Sequence, residues 1–282
     1  MGDIISNTYG VQLPSRYEIR RIGAEFEPWL RVLSRYIQLL DTRVFGPMYK
    51  NRQPVRRILL ENAKNEVKTG TLHCLKGGMS YAIFDKEYKF KRPESVATGG
   101  GVYWHEIDLD EPDLEATGQQ TLLDAMDFPL VAMALSFDKA DKMPSEAFAE
   151  NVAFIPEFEL QRQVAEAKAT PAPDAAIPEK GEVLVRAGTA TRREYTGQGL
   201  MKALSHFVMH DAHARGFKKI EIDVIHQATS RLWLNPPPPY RGELMNRLHL
   251  KEAELEMDGK IIKPFVGSEV DYEDVIIVHL TG

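Results

Sequence analysis

The sequence contains very little cysteine: Cys74 is the only one among 282 residues, so no disulfide can form within the chain. A chain without disulfides fits a reducing compartment, and we expect a cytoplasmic location. No stretch of about 18 uninterrupted apolar residues occurs, which predicts that no helix crosses a membrane. The first residues also lack the apolar core of a signal peptide, so the sequence predicts no secretion.

The chain also lacks an excess of basic residues. Its 35 Lys and Arg face 41 Asp and Glu, for a formal net charge of −6. Nucleic acids and anionic membranes attract proteins mainly through positive charge, so we expect neither as a partner, while a homodimer stays open. Apolar residues make up 43% and charged residues 27% of the chain, proportions typical of a folded globular protein.

Hydrophobic periodicity in the N-terminal part predicts alternating strands and helices. The predicted elements are a strand at 17–22, a helix from Phe26 to Leu40, a helix from Pro54 to Val67, and strands at 80–84 and 102–107. Between residues 108 and 180 the patterns change to helices at 119–135 and 145–169, followed by an Ala- and Pro-rich segment at 167–180 typical of a linker.

The C-terminal part has the clearest pattern. It predicts a strand at 182–191, a helix at 200–214, a strand at 219–225, and further strands at 250–256 and 275–280. This alternation favours an α/β or α+β layered domain.

A glycine pair, Gly197 and Gly199, lies where the strand at 182–191 turns into the next helix. Glycine permits close backbone approach to a ligand, and the N–H groups of a first helical turn attract phosphate. Neither the P-loop lysine nor the full GxGxxG spacing is present, so the pair alone is weak evidence.

The order of segments carries more information than the glycines. The strings YTGQGLMKAL (195–204), ARGFKKIEIDV (214–224) and LHLKEAELEMDG (248–259) follow one another as loop and helix, strand, and strand and turn. Together they resemble the GNAT N-acetyltransferase superfamily. The resemblance implies a mixed, mostly antiparallel sheet flanked by helices, forming one domain over 14–282 with a helical and linker insertion at about 108–180.

The resemblance also implies acetyl-CoA as co-substrate. The backbone N–H groups from Gly197 to Lys202 would bind its pyrophosphate, and the backbone from Ala190 to Arg192 its pantetheine arm. Thr196 and Met201 depart from the family motif, so Arg192 or Arg193 is a candidate for the missing cation. The implied acetyl-CoA residues are Ala190, Thr191, Arg192, Thr196, Gly197, Gln198, Gly199, Leu200, Met201 and Lys202.

Acetyl transfer to an amine needs a base for the amine proton and an acid for the departing thiolate. For the acid, many relatives use a tyrosine on the helix that follows the strand matching 219–225 of this chain. Depending on the alignment, this chain has Trp233 or Met245 at that position. We therefore take His226 and Asp223 as candidate catalytic residues on or just after that strand. Tyr240, which follows four prolines, is a candidate replacement for the acid.

The family resemblance places the acceptor groove beside the early strands, which makes Trp104 and His105 candidate substrate-binding residues. Three histidines, His206, His210 and His213, share one face of the helix at 200–214. No glutamate base follows the first of them, and we expect no metal site.

These observations favour an N-acetyltransferase that moves an acetyl group from acetyl-CoA to the primary amine of a small molecule, for which the long insertion would form the acceptor pocket. In this reading the amine attacks the thioester directly in a ternary complex. Two alternatives stay open: a GNAT-fold CoA-thioester enzyme of another reaction type, such as a decarboxylase, and a non-catalytic protein that binds CoA or a partner.

Overall fold

The computed structural model describes residues 9–40, 60, 70–104, 114–143, 178–257, 259–263 and 265–281. Eleven strands occur in this part of the chain: β1 (Tyr17–Arg21), β2 (Tyr81–Asp85), β3 (Gly101–Val102), β4 (Met126–Asp127), β5 (Leu130–Asp138), β6 (Val183–Thr191), β7 (Lys219–Val224), β8 (Arg241–His249), β9 (Leu255–Met257), β10 (Lys260–Ile262) and β11 (Tyr272–His279). Seven of them form one sheet in the order β1-β2-β5-β6-β7-β11-β8. Adjacent strands in this sheet run antiparallel, except for β6 and β7, which run parallel.

Helices cover both faces of this sheet. The described helices are α1 (Glu27–Leu40), α2 (Gly70–Lys76), α3 (Pro93–Thr98), α4 (Leu114–Ala125), α5 (Leu200–Ala214) and α6 (Gln227–Leu234). Apolar side chains of α1, α2 and α4 form one core with one face of the sheet. Those of α5 and α6 form a second core on the opposite face. The mixed, mostly antiparallel sheet flanked by helices is therefore confirmed. No helix in the described ranges has the length and apolar character needed to cross a membrane.

The prediction of one helix over 119–135 is wrong. Helix α4 ends at Ala125, and β5 begins at Leu130 and lies between β2 and β6 in the sheet. Strand β5 is buried on both faces, and its apolar run LVAMALSF shows no alternation. Such a run does not distinguish a central strand from a buried helix. Residues 108–180 are consequently not all an insertion, because they supply a central strand.

The C-terminal strands also differ from the prediction. The segment predicted as a strand at 250–256 is a short 3-10 turn (Leu250–Glu252) followed by β9, whereas the long strand β8 immediately before it was not predicted. Met245 is an extra residue in β8, since Asn246 pairs with Val275 and Leu244 pairs with Ile276. That bulge interrupts the alternation by which a strand is recognised.

Several expectations fall wholly or mainly outside the described residues. They are the helix at 54–67, the helix at 145–169, most of the linker at 167–180 and the end of the strand at 102–107. The strands predicted at 17–22, 80–84, 182–191, 219–225 and 275–280 are confirmed as β1, β2, β6, β7 and β11, and the helix at 200–214 as α5.

Candidate active site

The two parallel strands separate partway along their length. Residues 183–186 of β6 pair with residues 219–222 of β7, but β6 continues to Thr191 and β7 to Val224. Beyond the last pair, β6 stays bonded to β5 and β7 stays bonded to β11. Within the described ranges no strand lies along the two edges that face each other, so their backbone groups are available to a ligand. We call this opening the fork.

A β-bulge lies at the closed end of the fork. Arg186 pairs with Ser136 and Gly188 pairs with Leu135, so Ala187 is an extra residue in β6. Bulges bend a strand and leave the extra residue without a partner in the ladder. Ala187 is exposed, and it directly follows the last residue of β6 that pairs with β7.

The glycine pair forms the turn between β6 and α5. Gly197 and Gly199 have φ angles of 77° and 74°, and Gly199 is the N-cap of α5. These values lie in the left-handed region that favours glycine. A Cβ atom at either position would meet nothing within 4 Å, so the space in front of both glycines is open. The first N–H groups of α5 have no partner within the helix and carry a partial positive charge.

Side chains from β1 and β2 fix this loop. Tyr195 donates a hydrogen bond of 3.0 Å to Asp85 Oδ2, and the Tyr17 hydroxyl lies 2.5 Å from Gln198 Oε1. Asp85 is buried and also accepts two hydrogen bonds from Arg16, at 2.8 and 2.6 Å. Burial opposes ionisation of Asp85, but the bonds from Arg16, from the Glu87 N–H and from Tyr195 outweigh it and keep its pKa below the ordinary value.

The guanidinium of Arg192 is buried and does not face solvent. The residue is 3% exposed, and its guanidinium bonds Glu194 Oε1 at 2.7 Å and the Phe128 carbonyl at 3.2 Å. Its backbone N–H donates to the Val131 carbonyl at 2.8 Å. The expectation that the Arg192 side chain neutralises a phosphate is therefore wrong. Arg193, the other candidate cation, is exposed.

The other residues expected to bind acetyl-CoA lie around the same opening. Ala190 and Thr191 belong to the part of β6 that is not paired with β7. In the loop and the first turn of α5, exposed or half-buried positions surround the buried Leu200; they are Thr196, Gly197, Gln198, Gly199, Met201 and Lys202.

Asp223 and His226 lie on the β7 side of the fork. Asp223 is exposed, and it stands on β7 just beyond the last residue that pairs with β6. Partial desolvation raises its pKa; the neighbouring Glu221 adds to the rise and Lys139 opposes it. His226 is exposed at the N-cap of α6. The structure thus brings both residues to the side of the opening that faces the unpaired edge of β6.

Tyr240 lies at the other end of the sheet, and its assignment as the acid is wrong. It precedes Arg241, which pairs with His279, and His279 pairs with Lys219 at the start of β7. The fork opens at the end of β7, so β7 separates Tyr240 from it. The Tyr240 hydroxyl instead lies 2.9 Å from His210 Nδ1 and 3.1 Å from His213 Nδ1 on α5.

The two expected substrate residues have different outcomes. Trp104 is half-buried, packs against the core on the α1 side, and lies 5.8 Å from the guanidinium carbon of Arg31. His105 lies outside the described residues. Among the described residues no group of three His, Cys, Asp or Glu side chains could hold a metal ion.

Comparison with known proteins identifies the fold. The C-terminal condensation domain of Ebony, in complex with beta-alanyl-dopamine, superposes with a TM-score of 0.50 at 13% identity over 93% of this chain and 98% of that chain. An agmatine N-acetyltransferase does so with a TM-score of 0.50 at 10% identity over 94% of this chain and 100% of that chain. No protein-family model matches the sequence, and no curated protein matches it. The chain has the GNAT N-acetyltransferase fold.

Sequence reasoning missed the residues that hold the glycine loop in place. Asp85 ends a strand and Tyr17 begins one, and both are far in sequence from the loop that they contact. Their spacing gives no signal, because the contacts arise only when β1 and β2 assemble beside β5 and β6. Arg186 was missed as well, since one arginine in a strand appears unexceptional until its burial is known.

Proposed function

We propose that the protein is an acyl-CoA-dependent N-acetyltransferase that moves an acetyl group from acetyl-CoA to the primary amine of a small molecule. The observation that carries this proposal is the fork, which opens next to a glycine turn at the N-terminus of α5. A long ligand with a phosphate at one end and a thioester at the other matches an anion-binding helix end beside an unpaired strand edge.

In this proposal the ends of acetyl-CoA occupy different parts of the opening. Its pyrophosphate accepts hydrogen bonds from backbone N–H groups between Gly197 and Lys202. Apart from bonds within the helix itself, these N–H groups donate no hydrogen bond to another described residue. Its pantetheine arm lies along Ala190 and Thr191 on the free edge of β6. The thioester carbonyl then lies at the bulge, where the Ala187 N–H can polarise it.

Transfer requires the amine nitrogen to attack the thioester carbon. A new carbon–nitrogen bond forms, the carbon–sulfur bond breaks, and the nitrogen loses a proton. Asp223 is our first candidate to accept that proton, directly or through water, because its raised pKa brings it closer to that of a useful base. His226 is the second candidate, because a neutral imidazole nitrogen can accept a proton and this residue is exposed at the N-cap of α6, just beyond β7.

The amine class is supported by the structural neighbours. One is an agmatine N-acetyltransferase, and the other is bound to beta-alanyl-dopamine, an acylated amine. The net charge of −6 and the Glu221 and Asp223 carboxylates on β7 also suit a cationic acceptor.

The test compares two variants, Gly197→Asp and Gly197→Asn, whose introduced side chains have nearly the same size and shape. Both side chains tolerate a positive φ, and both enter the open space in front of the turn, but only aspartate is negative. Calorimetric titration with acetyl-CoA should show binding to the wild type, weaker binding to Gly197→Asn, and at least a further tenfold loss for Gly197→Asp (about 1.4 kcal/mol).

Absence of acetyl-CoA binding by the folded wild type would contradict the proposal. Binding with thioester cleavage that does not depend on any amine would favour another CoA-thioester reaction. Binding without any cleavage across a panel of amines would favour a non-catalytic CoA-binding protein.

A further inference from the structure

Arg186 is a buried cation at the closed end of the fork. Its side chain belongs to the last residue of β6 that pairs with β7, and the residue is 4% exposed. Its guanidinium donates hydrogen bonds to the Leu135 carbonyl at 2.5 Å, to Ser136 Oγ at 2.8 Å and to Thr189 Oγ1 at 2.8 Å. All three acceptors are neutral.

A buried cation is normally paired with an anion, because transfer of an unpaired charge out of water is costly. Arg192, which is equally buried, follows this rule through Glu194. Arg186 has no carboxylate partner among the described residues, and its Nε atom has no hydrogen-bond acceptor there. Burial lowers the pKa of Arg186 to about 10. The guanidinium is therefore charged at neutral pH and has no carboxylate counterion in the described part of the chain.

Arg186 lies next to the position at which we place the thioester. It directly precedes Ala187, the bulge residue whose N–H we place at the thioester carbonyl, and its bond to Thr189 spans the bulge. The ring of Trp233 lies 5.8 Å from its guanidinium carbon, on the side of α6. The family resemblance aligns either Trp233 or Met245 with the tyrosine acid of relatives, and neither can donate a proton to a thiolate, while Tyr240 lies at the opposite end of β7.

We propose that Arg186 is a catalytic residue whose positive charge stabilises the CoA thiolate as it leaves. This inference rests on the proposed function and supplies the charge stabilisation that the missing tyrosine would otherwise provide. When the amine attacks, the electron pair of the carbon–sulfur bond stays on sulfur, and the amine proton goes to the base on the β7 side. Arg186 remains protonated throughout and exchanges no atom.

A charge within about 4–6 Å lowers the pKa of an acidic group by about one to three units. A thiol has an ordinary pKa of about 8.5, so Arg186 should bring that of bound CoA towards neutrality. Other groups near the fork also titrate or carry charge, and the experiment must separate them from Arg186. They are Cys74 on α2, Glu221 and Asp223 on β7, Lys139 beside Glu221, His226 at the start of α6, and Asp274 with Arg247 behind α6.

The experiment measures the dissociation constants of CoA and of acetyl-CoA by calorimetry. The pH is varied from about 6 to about 9 in steps of about one unit. Acetyl-CoA has no ionisable thiol, so the ratio of the two constants isolates the sulfur and cancels the groups that affect both ligands. For the wild type we expect the affinity for CoA relative to acetyl-CoA to rise about tenfold or more across this range. Arg186→Met should abolish the rise, and Arg186→Lys should retain part of it.

The matched control is Arg21→Met. Arg21 also has a buried Nε without a partner among the described residues, but it lies on β1, which β2 and β5 separate from β6. This variant should keep the full pH dependence. If Arg186→Met does not fold, the wild-type and Arg186→Lys series still decide the question.

A wild-type ratio that does not change with pH, while both ligands bind, would overturn the assignment of Arg186 and leave the proposed function standing. An unchanged rise in Arg186→Met would overturn it too. So would a strong, Arg186-dependent preference for succinyl-CoA, since the charge would then serve an acyl carboxylate. Failure of both ligands to bind would instead contradict the proposed function itself.

Discussion

Replacing Tyr195 with phenylalanine should weaken acetyl-CoA binding by loosening the glycine loop. The substitution removes one hydrogen bond of 3.0 Å between the hydroxyl and the buried Asp85 carboxylate. Hydrogen bonds to charged groups contribute about 1.5–3 kcal/mol, and Asp85 keeps its bonds to Arg16, so we expect a loss near the lower end, about 1.5 kcal/mol in the free energy of unfolding. Burial and the bond to Asp85 raise the pKa of Tyr195 to about 12, so the hydroxyl remains a donor at neutral pH.

Tyr9→Phe is the matched control for Tyr195→Phe. It removes a tyrosine hydroxyl bond of 3.1 Å to Asp211, at the end of α5 remote from the glycine loop. Urea unfolding should show a loss of about 1–2 kcal/mol for both variants. Calorimetry should show an acetyl-CoA affinity lowered about tenfold for Tyr195→Phe and nearly unchanged for Tyr9→Phe. Equal affinities for the two variants would refute the claim that Tyr195 holds the loop for binding.

The pH profile of Asp223→Asn tests the β7 side of the fork. Because the pKa of Asp223 is raised and the base must be ionised, kcat/KM of the wild type should fall as the pH drops through that raised pKa. In the variant this limb should disappear and kcat should fall about 100-fold, with little change in acetyl-CoA affinity; an unchanged profile would exclude Asp223 as the base. Tyr240→Phe tests the correction made by the structure. It should leave kcat and its pH profile unchanged, although the contacts of Tyr240 with His210 and His213 are lost, and a fall in kcat of tenfold or more at intact stability would contradict that correction.

Local patterns predict the elements around the fork because each is governed by its own residues. The alternation of β7 and the apolar face of α5 follow directly from side-chain periodicity, and the glycines fix the turn between β6 and α5. The point at which β6 separates from β7, just after Arg186, follows from the strand register and not from a local pattern.

Other features depend on contacts that no local pattern encodes. Strand β5 is buried on both faces, so its apolar run resembles a helix until its neighbours β2 and β6 are known. The direction of Tyr240 depends on the register of β8 against β11, which places it beside α5 instead of the fork. The burial of Arg186 likewise becomes visible only when the bulge and α6 are assembled around it.

The most direct test of the account is acetyl transfer itself. Isotope-labelled acetyl-CoA and the wild-type protein should be incubated with a panel of primary amines, including polyamines and arylalkylamines, and the products analysed by mass spectrometry. We predict a labelled amide on at least one amine, formed together with free CoA and lost in Gly197→Asp. Saturating acetyl-CoA binding without a labelled amide from any amine would contradict the central claim that this fork performs acetyl transfer.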